Sequence, residues 1–362
     1  MIKQDSHNLD VLRSVAVLLV LFSHFLVAFG LDKQPAFALW GIESLGKFGV
    51  QLFFIHTSLV LMMSLARLEK SGGGAIVGRF YIRRIFRIFP LSMLTIATVL
   101  LLKIPPYFGV PFTWPSPLRL WSNLLLIQNL TRTHEISLPL WSLPFELQMY
   151  VILPFIYFAG KKFGKPLYIV MLGFVLWQGD HVLSQKLGYP RLLLYAPFFF
   201  LGMATFYRSA KNTLSGAWFV LSLLLLIVLH SLSARVVGDY RAGWPEWVFC
   251  LIFCMMLPSF YDVKSTALRH AAKYIAKYSY SIYLAHLPLM WWVFTKMATQ
   301  PMVVRMLIFW VALAAISVVL YHAIEEPFIR LGGLVANSLS RRPQTPKRAT
   351  TVTKADAMES VP

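Results

Sequence analysis

The sequence predicts an all-α protein, a polytopic transmembrane bundle of about ten helices. Three observations carry this. Of 362 residues, 57 % are hydrophobic and 14 % charged, where a soluble domain has about 25 % charged. The apolar residues fall in runs of roughly 18 or more, long enough to cross a bilayer as helices. The basic residues gather in alternate connections between those runs, the pattern that sets orientation in a membrane.

The candidate spans are roughly 9–29, 45–66, 85–104, 139–159, 166–185, 191–207, 214–232, 244–261, 275–296 and 302–324. With a cytosolic N-terminus, the inside connections hold 22 of the 34 Lys and Arg residues. The outside ones hold 11, and Arg13 lies within the first span. This excess predicts a multi-pass protein with both termini in the cytosol. The first run is long enough to span and others follow it, so it is a helix rather than a cleaved signal. Gly179, Asp180 and His181 are expected to interrupt the fifth run, and the sixth is short and contains Pro197.

The net charge of +19 would suggest nucleic acid in a soluble protein. Here it reports orientation, so membrane lipids are expected partners and nucleic acid is not. An anionic ligand on the basic side is compatible with it. Cys250 and Cys254 sit four apart in an apolar run and read as buried thiols. No metal-ligand cluster is evident.

The segment 105–138 is long and opens with Pro105, Pro106, Pro111, Pro115 and Pro117, which prevent regular helix. It continues as LRLWSNLLLIQNL from Leu118 to Leu130, too short to span and expected as one interfacial or re-entrant helix. Such a loop either covers a substrate site or is an ordinary connector. Residues 1–332 form the membrane domain, and 333–362 read as a disordered cytosolic tail.

Ionisable groups inside spans are costly and point to function. Arg13 and His24 lie eleven apart in the first span. They share a helix face, separated by roughly 16 Å of rise. A histidine there can serve as a general base; a snorkelling arginine and a packing histidine are the structural alternatives. Arg79, Arg83, Arg84 and Arg87 form a second group. Guanidinium groups bind phosphate bidentately, which suits a polyphosphorylated donor such as coenzyme A, or else anionic lipid. In LWSLPFELQMYVILP, Ser142, Glu146 and Tyr150 lie near one face with Trp141 beside them. They could orient an acceptor hydroxyl or cap the helix. His56, His286 and Glu325 are further possible site residues.

These stretches carry a resemblance. The chain resembles the acyltransferase 3 family of integral-membrane acyltransferases, which includes bacterial sugar O-acetyltransferases. LDVLRSVAVLLVLFSHF looks like its opening helix, with Arg13 and His24. GVQLFFIHTSLVL looks like its second motif, and RRIFRIFPL like its Arg-x-x-Arg element, here Arg84 and Arg87. LWSLPFELQMYVILP, SYSIYLAHLPL and IEEPFIRL look like the remaining motifs. The likeness runs from about residue 9 to 332. The family usually has Asp where Gln51 stands, Leu-Ser-Gly where His56-Thr57-Ser58 stands, and Glu-Glu where Glu146-Leu147 stands.

The resemblance implies transfer of an acyl group, acetyl by preference, from acyl-CoA to a hydroxyl of a cell-envelope glycan or lipid-linked saccharide. The setting would be a bacterial inner membrane. Acyl-CoA is then a substrate, and no bound cofactor is implied. Arg83, Arg84 and Arg87 would hold the donor. Arg13, His24 and Glu146 would be catalytic. Trp141, Ser142 and Tyr150 would line the acceptor side. No oligomeric state is implied. A secondary transporter is the alternative, because buried His, Arg and Glu also mark transport pathways, but the paired broken helices of transporters are not seen.

Overall fold

The computed structural model describes residues 6–31, 44–72, 74–163, 165–188, 193–209, 212–237 and 244–339. Among these the chain is helical, without a strand ladder. The long helices are α1 (His7–Ala28), α2 (Leu45–Lys70) and α3 (Ile76–Leu101). Two short ones follow, α4 (Pro117–Leu124) and α5 (Gln128–Thr131). Then come α6 (Leu143–Phe163), α7 (Pro166–Leu187), α8 (Ala196–Phe206), α9 (Gly216–Val237) and α10 (Trp244–Met256). The chain closes with α11 (Thr266–Trp291), α12 (Met302–Leu320) and α13 (Glu326–Ser338).

Each of the ten expected spans coincides with a helix. Seven helical stretches among the described residues are long and apolar enough to cross a membrane. The other three differ for local reasons. Helices α8 and α10 are short. Helix α11 begins in a stretch carrying Arg269, Lys273 and Lys277. Three expectations are corrected. Helix α7 runs unbroken through Gly179, Asp180 and His181. The interfacial segment is two short helices, because Leu126 adopts a left-handed conformation at φ 55° between them. Helix α13 continues to Ser338, past the boundary expected at 332; the rest of the expected tail, 340–362, lies outside the described residues.

Burial orders the bundle. The apolar window of α2 is 83 % buried, that of α12 and α13 only 17 %. Helix α2 is therefore central, and the last helices turn apolar side chains outward, as a lipid-facing helix does. All of α8 is buried, wedged chiefly against α2 and α7. Two glycines permit close approach. A Cβ at Gly49 would lie 2.5 Å from the Ala16 carbonyl oxygen on α1. One at Gly202 would lie 2.0 Å from Ser58 Oγ and 2.2 Å from the Ile55 carbonyl oxygen on α2.

Helix α1 sits between α2 and α11. Against α2 it is antiparallel: Gly46 meets Ser23, and Gly49 meets Ala16 and Val20. The end of α2 therefore lies beside the start of α1, at a basic face that also holds Lys161, which bonds Glu69 at 2.6 Å. Against α11 it is parallel. Ser14 Oγ donates to the Ala272 carbonyl (2.8 Å), Arg13 Nε to Ser279 Oγ (2.7 Å), and His24 meets His286 (2.8 Å). The pairs climb both helices in the same order.

The connection between α3 and α6 is stitched to itself. Asn123 Nδ2 donates to the carbonyls of Arg119 (2.9 Å) and His134 (3.0 Å), and its Oδ1 accepts from the Ile136 N–H at 2.9 Å. The Arg119 guanidinium donates to the carbonyls of His134 and Glu135. This loop is a built element that caps the end of the bundle opposite the basic face.

Candidate active site

Three cavities lie along the α1–α11 seam. The first, about 60 Å³, is lined by Arg13, His56, Arg84, Arg87, Glu146, Tyr150 and Tyr280, among others. Sequence reasoning placed these residues on five different segments, and the fold brings six of its candidates together here. Arg87 Nη1 forms an ion pair with Glu325 at 3.1 Å, and the carboxylate side chain is fully buried. Ser281 donates a second hydrogen bond to Glu325. Glu325 reaches inward because a π-helical turn, Tyr321–Glu325, widens the chain between α12 and α13; such turns recur at functional sites. Glu146 accepts a hydrogen bond from Tyr150, one helical turn on. The cavity and its border hold three guanidinium groups against two carboxylates.

The second cavity is a constriction of about 20 Å³, the room of about one water. It shares Phe53, Glu146 and Tyr280 with the first, and adds Val17, Val20, Ser142 and Tyr283. Ser142 Oγ and the Tyr283 hydroxyl are 2.8 Å apart across it.

The third cavity, about 260 Å³, holds His24 beneath the stitched loop and beside the end of α11. His24 Nδ1 lies 2.8 Å from His286 Nε2. The ring centroids are 5.0 Å apart and the planes differ by 19°. That is the edge-to-edge alignment that an N–H···N bond requires. His286 Nδ1 faces the carbonyl oxygens of Tyr283 (2.7 Å) and Ile282 (3.2 Å). A carbonyl only accepts, so this nitrogen carries the hydrogen. With both rings neutral, His286 Nε2 then accepts, His24 Nδ1 donates, and the lone pair of His24 is left on Nε2. Tyr283 joins the constriction to the histidine pair: its hydroxyl meets Ser142 (2.8 Å), and its carbonyl faces His286 Nδ1 (2.7 Å).

Some expectations are redirected. Tyr150, expected on the acceptor side, lines the arginine cavity. Ser142 stands at the constriction. Trp141 packs against Phe145 and Tyr195 and lines none of the three cavities. Arg83 turns away to Asn337 Oδ1 at 3.0 Å, so it does not join Arg84. Arg79 is tied to the Gly72 carbonyl at 2.9 Å. Sequence reasoning missed Ser279 and Tyr283 as partners. The signal was present, since positions 279, 283 and 286 follow the i, i+4, i+7 spacing of one helix face.

A separate buried chain of polar groups was also missed. Gln51 Nε2 donates to Glu246 Oε2 (3.0 Å), Glu246 Oε1 faces His230 Nδ1 (3.3 Å), and His230 Nε2 meets Ser44 Oγ (2.8 Å). The imidazole stacks on Phe48. This chain ties α2 to α9 and α10. No group of three or more His, Cys, Asp or Glu side chains is placed to hold a metal ion among the described residues. Cys250 and Cys254 are free and buried.

A many-helix bundle with long apolar helices and internal cavities, one lined by arginines and one by His24, is the architecture of an integral-membrane protein. A family model described as an acyltransferase domain matches residues 6–324. The chain belongs to that family, the acyltransferase 3 family, and is a membrane acyltransferase. Comparison with curated proteins and with solved structures gave no match.

Proposed function

We propose that the protein carries an acyl group, acetyl by preference, from acyl-CoA at the cytosolic face to a hydroxyl of a cell-envelope glycan or its lipid-linked precursor. The membrane would be a bacterial inner membrane, with the basic face and both termini in the cytosol. The observation that carries this reading is the orientation of His24. His24 bonds His286 through Nδ1 and lines the cavity of about 260 Å³ beneath the loop, while a constriction bordering the arginine cavity lies further along the same seam.

The donor phosphates are drawn to the basic face, where Arg84 and Arg13 present guanidinium groups. Arg87 is already paired with Glu325, so its part is to hold that wall. A cavity of about 60 Å³ has the room of about two waters. The nucleotide therefore stays at its mouth, and only the acyl-bearing arm threads inward as the constriction widens. In the large cavity, His24 Nε2 takes the proton of the acceptor hydroxyl as its oxygen attacks the thioester carbonyl. The tetrahedral intermediate collapses, the C–S bond breaks, and the imidazolium returns the proton to the departing thiolate. The products are an acyl ester and free CoA thiol. His286 keeps His24 in the working tautomer throughout.

The test is transfer of radiolabelled acetyl from acetyl-CoA to envelope glycan by the purified protein in nanodiscs. Labelled ester, sensitive to mild base, is the expected product. Labelled acetyl-CoA crossing a sealed vesicle unchanged, with no ester formed, would overturn the reading.

A further inference from the structure

The cavity around His24 was not foreseen in its details, and its lining describes a ligand. One part is apolar: Val27, Ile104, Phe108, Leu287 and Trp291, with prolines from both the loop and α11. Among the described residues the polar side chains are three, His24, Tyr107 and Ser137, and no Lys, Arg, Asp or Glu side chain lines it. Trp291 lines the cavity, and the Lys296 ammonium lies 5.4 Å from its ring centroid. The Tyr107 hydroxyl donates to Glu135, a pairing within the stitched loop. Burial first, and then this bond, raises the Tyr107 phenol above its ordinary pKa, so it stays protonated.

The volume of about 260 Å³ is the liquid share of about nine waters. That admits a sugar ring. An apolar surface with a few convergent hydroxyl-bonding groups is how proteins hold a small polar ligand in a fixed pose. A carboxylated or phosphorylated ring would lose its hydration without finding a cation among the described lining residues, and would approach the Glu135 carboxylate as well.

We propose that this cavity is the acceptor subsite and takes a single uncharged sugar ring, with Trp291 against its C–H face and Tyr107 and Ser137 bonding its hydroxyls. One ring hydroxyl then meets His24 Nε2. The proposal rests on the acyl-transfer reading above and adds to it the size and charge of the acceptor unit. Loop and helix contribute jointly, and Tyr107, Ser137 and Trp291 lie outside the motifs that mark the family resemblance in the sequence.

The experiment uses the full-length protein in nanodiscs, radiolabelled acetyl-CoA, and methyl glycosides as acceptors. One set is neutral hexosides and N-acetylhexosaminides; the other is hexuronic acid glycosides. Label is expected on members of the neutral set alone. Trp291→Ala should raise the acceptor KM about tenfold, one decade of binding, and Trp291→Phe by less. Neither should change acetyl-CoA affinity. Equal transfer to uronic acids overturns the proposal, as does an unchanged acceptor KM in Trp291→Ala. Acetyl-CoA that binds and slowly hydrolyses while no glycoside is acylated also overturns the subsite, yet leaves the donor reading standing. If acetyl-CoA neither binds nor reacts, the acyl-transfer reading fails and the subsite falls with it.

Discussion

His24 and His286 share one hydrogen, held between nitrogens 2.8 Å apart, and the backbone behind His286 decides which way it points. In the proposed reaction the second histidine would do for the first what a carboxylate does in a hydrolase triad, but without adding charge inside the membrane. His286→Leu leaves the His24 N–H unpaired, at a cost of about 1–3 kcal/mol. Felt at the transition state, that lowers kcat about ten- to hundredfold. His286→Gln offers a carbonyl oxygen to the same N–H and should recover part of the loss. Equal kcat in the Leu and Gln variants, with both folded, would count against the positioning role.

His24→Ala removes the proposed base. Turnover should fall on the order of 10²–10⁴-fold while acyl-CoA binding is nearly unchanged. Binding and single-turnover transfer are measured on the same preparation. A variant that retains full turnover rules His24 out.

The sign of the pH response follows from the lone pair. Protonated His24 has none on Nε2, so donor-saturated turnover should fall as pH drops through the apparent pKa of the site. A flat rate from about pH 5 to 8, with chemistry rate-limiting, contradicts the base assignment.

Arg84 and Arg87 should part company. Arg84→Ala should weaken acyl-CoA binding about ten- to hundredfold, since a charge-assisted bond contributes about 1.5–3 kcal/mol. Arg87→Ala strands the buried Glu325 carboxylate, a change that costs about 3–5 kcal/mol. Its signature is a lower melting temperature in detergent, largely reversed in Arg87→Ala combined with Glu325→Gln. An Arg87→Ala protein as stable as the parent would mean the ion pair is dispensable.

Packing at Gly202 gives a test remote from the chemistry. Any Cβ there meets Ser58 Oγ and the Ile55 carbonyl oxygen at 2.0 and 2.2 Å. Gly202→Ala should therefore destabilise by about 1–3 kcal/mol, the usual range for overpacking. Thermal unfolding checks it, and an unchanged midpoint would mean that α2 and α8 can separate freely.

The sequence was most informative where chemistry is punctuated by apolar runs. Arg13, Arg84, Arg87 and Glu146 stand out because charge inside a span is conspicuous, and all four reach one cavity. Hydropathy likewise located the helices. It could not show that α8, only Ala196–Phe206, is wholly buried, since periodicity is silent about what surrounds an all-apolar segment. Direction along the bundle was also hidden. Tyr150 was expected with the acceptor, yet its two-turn offset from Ser142 carries it to the arginine cavity. Arg83 looked equivalent to Arg84, but adjacent residues on a helix point about 100° apart, and Asn337 was there to receive it. The pairing of His24 with His286 needed tertiary structure, because the partners lie 262 residues apart.

The pairs Arg13–Ser279 and His24–His286 fasten α1 to α11 near both ends of their shared length. Two parallel rods pinned twice can neither slide nor scissor without breaking a pin. The wall they form is therefore the stator of the machine. Whatever widens the proposed passage for a thioester arm would then come from the facing side, where Ser142, just ahead of α6, is held to Tyr283 (2.8 Å) and α3 accepts one bond from Tyr280 at the Ile88 carbonyl (2.8 Å). A cross-link joining α1 to α11 should then be harmless to catalysis, whereas one joining α1 to α6 should stop it with the donor still bound outside.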